Sequence, residues 1–114
     1  MAIDSSLTTR SLLKNLGIQE VLDYEGITEV AINQGEEIWF DRGNGWEFKK
    51  APECTFHNLN SLAKSLTVYS GLKTAFDDRN PIASVILPDG ERGQIITAPA
   101  TEYNTISFTM RKPS

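Results

Sequence analysis

The stretch from Leu87 to Ser114, LPDGERGQIITAPATEYNTISFTMRKPS, reads as two strands joined by a loop that begins at Pro99 and ends near Asn104. With the loop centred between Thr101 and Glu102, an antiparallel hairpin sets Arg92 against Arg111, Gln94 against Thr109, Ile96 against Ser107 and Ala98 against Thr105. Side chains alternate along a strand, so this register is open to test by pattern. One face then carries Arg92, Gln94, Ser107, Thr109 and Arg111, and the other carries Ile95, Thr97, Ile106, Phe108 and Met110. The first set is polar and the second mostly apolar, as a half-buried pair requires. A slip of one residue would mix them.

Two guanidinium groups directly opposite each other repel, so the placement gives nothing to the fold. A guanidinium is a planar fork that matches phosphate or carboxylate oxygens, and two forks from neighbouring strands form a candidate anion clamp. Arg92 and Arg111 are therefore the candidate binding residues, with two solvated strand-end arginines as the alternative. Lys112 is a poorer candidate, because adjacent strand residues point to opposite faces.

Working back from the hairpin, Pro88-Asp89-Gly90-Glu91 is turn chemistry and Ile82 to Leu87 a strand. Before them Phe56, Leu59, Leu62, Ala63, Leu66 and Tyr69 recur at intervals of three and four, which predicts a helix capped by Thr55 and stopped by Gly71. Three strands precede it: Thr28 to Asn33, Glu37 to Arg42, and Trp46 to about Lys49. Their connectors, Asn33 to Glu36 and Arg42 to Gly45, are rich in Gly and Asn, which accept positive φ. Trp39 and Trp46 are expected to pack rather than to stack bases. At the start, Ser5 or Ser6 can cap a helix that buries Leu12, Leu13 and Leu16. Ile18, Val21 and Leu22 fall on another side, so Gly17 must end or kink it. Helix, three strands, helix, three strands implies an α+β domain: an antiparallel sheet of about six strands with helices mainly on one face.

The 114 residues suffice for one core, and 39% hydrophobic with 23% charged residues is ordinary for a globular domain. A net charge of −4 argues against a broad nucleic-acid surface, so no direct nucleic-acid binding is expected. Cys54 and His57 are the sole residues of their types, which excludes an intrachain disulfide and a zinc-type Cys/His cluster. Gly71-Leu72-Lys73-Thr74 fails as a phosphate loop, because Leu72 intervenes, residue 66 is leucine, and the segment follows a helix. Asp77 and Asp78 are adjacent and diverge on any regular element. With no assembled nucleophile, base or metal cluster, the chain is not expected to be an enzyme by itself. The first residues have neither a basic n-region nor an apolar h-region, and no apolar run reaches the ~20 residues of a spanning helix; a cytoplasmic place is expected.

The strings LPDGERGQ from Leu87 and ISFTMRKPS from Ile106, together with Gly26-Ile27-Thr28-Glu29-Val30-Ala31-Ile32-Asn33, Glu37 to Gly43 and Gly45-Trp46-Glu47, resemble the N-terminal domain of type IV secretion and conjugation traffic ATPases. These are hexameric motors related to the type II secretion and pilus ATPases. The resemblance covers nearly the whole chain. It departs after Asn33, where a basic residue and proline commonly precede the glycine and this chain has Gln34-Gly35.

The resemblance implies a PAS-like fold in which residues 1–114 are the single N-terminal domain of a longer ATP hydrolase. Residues 1–24 would then be a helical appendage and residues 111–114 the start of a linker to a RecA-like motor domain. It further implies that Arg92 and Arg111 approach the phosphates of ATP, bound with magnesium mainly by the motor domain and not tightly by this fragment. Its implied partners are that motor domain, neighbouring subunits of a homohexamer and inner-membrane secretion proteins, at the cytoplasmic face of a bacterial inner membrane. Two alternatives stay open: a standalone PAS-like sensor or adaptor, marked by a closed apolar cavity between helix and sheet, and the equivalent domain of a type II secretion or pilus ATPase.

Overall fold

A computed structural model describes residues 5–102 and 104–113. Two short helices open the chain, α1 (Ser5–Asn15) and α2 (Ile18–Leu22). Gly17 separates them at φ 80°, a left-handed value that costs a residue without Cβ nothing. The break turns both apolar clusters inward: Leu13, Leu16, Ile18, Val21 and Leu22 are all buried on the domain's own core, with Leu12 packed at its margin. Ser5 and Ser6, expected as caps, both lie inside α1.

A meander of β1 (Glu29–Ile32), β2 (Glu37–Asp41) and β3 (Trp46–Lys50) follows, then α3 (Phe56–Tyr69), then a second meander of β4 (Ile82–Ile86), β5 (Arg92–Thr97) and β6 (Ile106–Arg111). The Thr55 hydroxyl accepts the Asn58 N–H at 3.2 Å and caps α3. Leu59, Leu62, Ala63, Leu66 and Thr67 form its buried side. Phe56, expected on that side, opens the first turn of α3 and is 39% exposed.

All six strands join in one antiparallel sheet of order β3-β2-β1-β6-β5-β4. The two meanders meet along β1 and β6 at the centre, so α3 must carry the chain from one edge strand to the other. It does so across one face. Val30, Ile32, Ile38, Phe40, Ala83, Val85, Ile95, Ile106, Phe108 and Met110 point to that face and are buried in one cluster with the helices. Leu59, Leu62 and Leu66 fill the space between α3 and the sheet. Among the described residues no helix lies on the opposite face.

One turn differs from its expectation. Between β1 and β2 the positive φ of 68° falls on Glu36, not on Gly35. Gly35 is needed there for room, since a Cβ would meet the Cys54 carbonyl oxygen at 3.2 Å. That same oxygen accepts the Glu36 N–H at 2.8 Å. Between β2 and β3, Gly43 and Gly45 do take positive φ.

Candidate functional site

The register of β5 and β6 places Arg92 opposite Arg111, Gln94 opposite Thr109 and Ile96 opposite Ser107. Ala98 and Thr105 lie beyond the ends of the paired strands. Both arginines are exposed on the helix-free face. With Ser84, Gly93, Gln94 and Thr109 they line a shallow hollow of about 330 Å³. Ser84 belongs because β4 pairs with β5 in a register that sets it opposite Gln94. Arginine forks, a hydroxyl pair and an amide make an anion-accepting surface with neutral donors around it.

Part of what fixes the strand ends under the arginines lies on the other face. Glu91 and Lys112 flank them in sequence, so alternation turns both toward the covered side. Glu91 is 1% exposed, and its Oε2 stands 3.6 Å from Lys112 Nζ. Its Oε1 is buried with no hydrogen-bond partner among the described residues. The pair ties the start of β5 to the end of β6, beside the two arginines. Gly93 is also required by packing: a Cβ there would meet Val85 Cγ2 at 3.1 Å and Leu87 Cδ1 at 3.3 Å. The Lys112 N–H donates to Thr28 O at 3.0 Å and continues the β1 contact past the strand end.

The two arginines are not equivalent. Arg111 lies between Arg92 on β5 and Glu29 on β1, and its Nη2 donates to Glu29 Oε1 at 3.3 Å. Among the described residues Arg92 pairs with no carboxylate. Glu29 was absent from the sequence-derived site because its neighbour is set by the long-range β1–β6 pairing. Alternation along Thr28 to Asn33 was the available signal, since it puts Glu29 with Ala31 on the face away from Val30 and Ile32.

The rest of that face is aromatic toward β3. Trp39 stacks on Phe48 with centroids 4.9 Å apart, whereas Trp46 is 47% exposed and so does not pack as expected. His57 is exposed on the first turn of α3, and Asp77 Oδ1 accepts the N–H groups of Arg79 and Asn80 in a loop. Neither approaches the arginines.

No protein-family model matches the sequence. Curated relatives do match. The type IV secretion system protein VirB11 of Brucella suis biovar 1 (strain 1330) is 40% identical over 93 residues, covering 82% of this chain and 25% of that protein. The crystal structure of the VirB11 ATPase from the Brucella suis type IV secretion system, in complex with sulphate, superposes with a TM-score of 0.87 at 35% identity, covering 96% of this chain and 32% of that one. The chain is homologous to the N-terminal region of the VirB11 secretion ATPases. The type IV secretion system protein PtlH of Bordetella pertussis (strain Tohama I) agrees, at 33% identity over 98 residues, 82% of this chain and 27% of the relative. The chain thus spans about a quarter of the length of the curated VirB11 and PtlH relatives it matches. The VirB11 likeness extends to the fold: the six-stranded antiparallel α+β architecture is that of the VirB11 N-terminal domain. Among the described residues no helix is long and apolar enough to cross a membrane.

Proposed function

We propose that this chain is the nucleotide-sensing and oligomerising N-terminal domain of a hexameric ATPase that powers type IV secretion or conjugative transfer. One observation carries the reading: Arg92 and Arg111 are opposed on an open sheet face, at a cost in repulsion that an incoming anion would relieve. ATP, held with its magnesium mainly by a RecA-like motor domain following residues 111–114, would bring its phosphates to this face. Each arginine then supplies charge-assisted hydrogen bonds, which favour the arrangement with the two domains closed and relax once the terminal phosphate has gone. The remaining partners are neighbouring subunits and inner-membrane secretion proteins, at the cytoplasmic face of that membrane. The burial of Leu59, Leu62 and Leu66 between α3 and the sheet supports this reading over a ligand-holding PAS-like sensor. The type IV relatives support it over a type II secretion ATPase.

The test uses the full-length parent. Charge-assisted bonds are worth about 1.5 to 3 kcal/mol, so Arg92→Ala and Arg111→Ala should each weaken ATP binding or turnover by about tenfold or more, with the melting temperature unchanged. Wild-type ATPase kinetics in both variants would refute the clamp.

A further inference from the structure

We propose that Glu29 is a positioning residue: an internal anion that competes with the nucleotide phosphate for Arg111 and thereby sets the affinity of the arginine pair. The inference rests on the reading of Arg92 and Arg111 as phosphate contacts and adds a member to that site.

Across the end of the helix-free face, the strand registers align Asp41, Glu29, Arg111 and Arg92 as successive neighbours on β2, β1, β6 and β5. The row is two carboxylates followed by two guanidiniums. Asp41 is committed to its own turn, where Oδ1 accepts the Gly43 N–H at 2.6 Å. Glu29 is committed to Arg111, with Oε1 3.3 Å from Nη2. Its side chain is 26% exposed and that of Arg111 is 74% exposed, so the carboxylate is the anchored partner and the guanidinium the open one. A phosphate arriving over the pair meets one arginine without a carboxylate partner and one already holding an anion. For Arg111 to turn its full fork on phosphate, it must share or release Glu29.

The magnitudes allow that exchange. An ion pair this exposed is worth about a two- to fivefold factor, less than the factor of ten or more that a charge-assisted contact to phosphate supplies. The triphosphate therefore wins, at a reduced net affinity. Glu29 holds Arg111 in place when no nucleotide is bound and takes it back when phosphate leaves. Release after hydrolysis is thus faster than two free arginines would permit.

In the full-length parent, Glu29→Gln keeps side-chain length and strand pairing while removing the charge. ATP binding, measured by titration calorimetry, should tighten by about two- to fivefold, and in the Arg111→Ala background the same substitution should have no effect. The second arm separates competition from simple repulsion, since a carboxylate that merely repelled phosphate would keep its effect without Arg111. An undiminished gain in the Arg111→Ala background overturns the inference. Unchanged affinity in Glu29→Gln, with Arg111→Ala still impaired, also overturns it and leaves the clamp standing. If Arg92→Ala and Arg111→Ala both bind ATP normally, the clamp itself falls and this inference with it.

Discussion

The two faces of the sheet are built from the same six strands, yet different physics decides their side chains. On the covered face Ile32, Ile38, Ile95, Phe108 and Met110 are almost wholly buried, and their worth is the apolar area they remove from water. On the open face Glu29, Arg111, Arg92, Gln94 and Thr109 form rows whose neighbours are chosen by charge and hydrogen-bonding capacity. Alternation assigns residues to the faces, but only burial rewards the first set. The contrast is broken most severely by Phe108→Ala, which leaves a cavity in the cluster shared with α3 and should cost about 3 to 5 kcal/mol in urea unfolding. Thr109→Ala, one residue on and facing outward, should change stability by about 0.5 kcal/mol or less. Equal losses in the two variants would mean that the open face is also structural.

A smaller effect is expected where the faces are stitched together. Lys112 stands beside Arg111 in sequence but serves the covered side, as the cation next to buried Glu91. Lys112→Met takes the cation from a buried carboxylate whose Oε1 already has no partner among the described residues, and should destabilise the domain by on the order of 2 kcal/mol, with recovery when Glu91→Gln is added. Arg111→Ala should do the reverse, sparing stability and impairing nucleotide binding. If Lys112→Met left the unfolding midpoint unmoved, the pair would not be what fixes the hairpin under the arginines.

The sequence made the covered face readable because burial imposes a period. Phe108 and Met110 marked the hairpin register, and the leucines of α3 marked its buried side. Gly17 announced the break between α1 and α2 because two apolar clusters demanded different directions. Arg92 and Arg111 were visible for a related reason: a hairpin is local, so its register follows from one loop. Glu29 was not, since β1 reaches β6 only through a pairing 82 residues apart in sequence. Nor was the room that Gly35 makes for the Cys54 carbonyl, which depends on where the segment between β3 and α3 returns. Exposure of Trp46 was missed because an aromatic at a strand start reads as packing, whereas β3 is an edge strand with an uncovered outer face.

The finest test of the covered side is a titrating group inside it. Cys54 is fully buried, and its thiol donates to Leu16 O at 3.3 Å. Burial, with a contribution from the nearby Glu53 charge, pushes the thiol from its ordinary 9.0 up to about 11. In the unfolded chain the thiol ionises near the lower value, while the folded chain keeps its proton. Between the two values the unfolded state binds fewer protons, so stability must fall as pH rises. The contribution is whole below pH 9.0 and is lost by about pH 11. The informative quantity is a difference between two chains that share every other ionisable group. Urea midpoints of the parent and of Cys54→Ala should converge between about pH 8 and about pH 10.5, because the variant loses packing at every pH but carries no thiol to ionise. A gap that stayed constant with pH would mean that the thiol meets solvent in the folded state, and that the covered face is not closed where α1 meets the segment before α3.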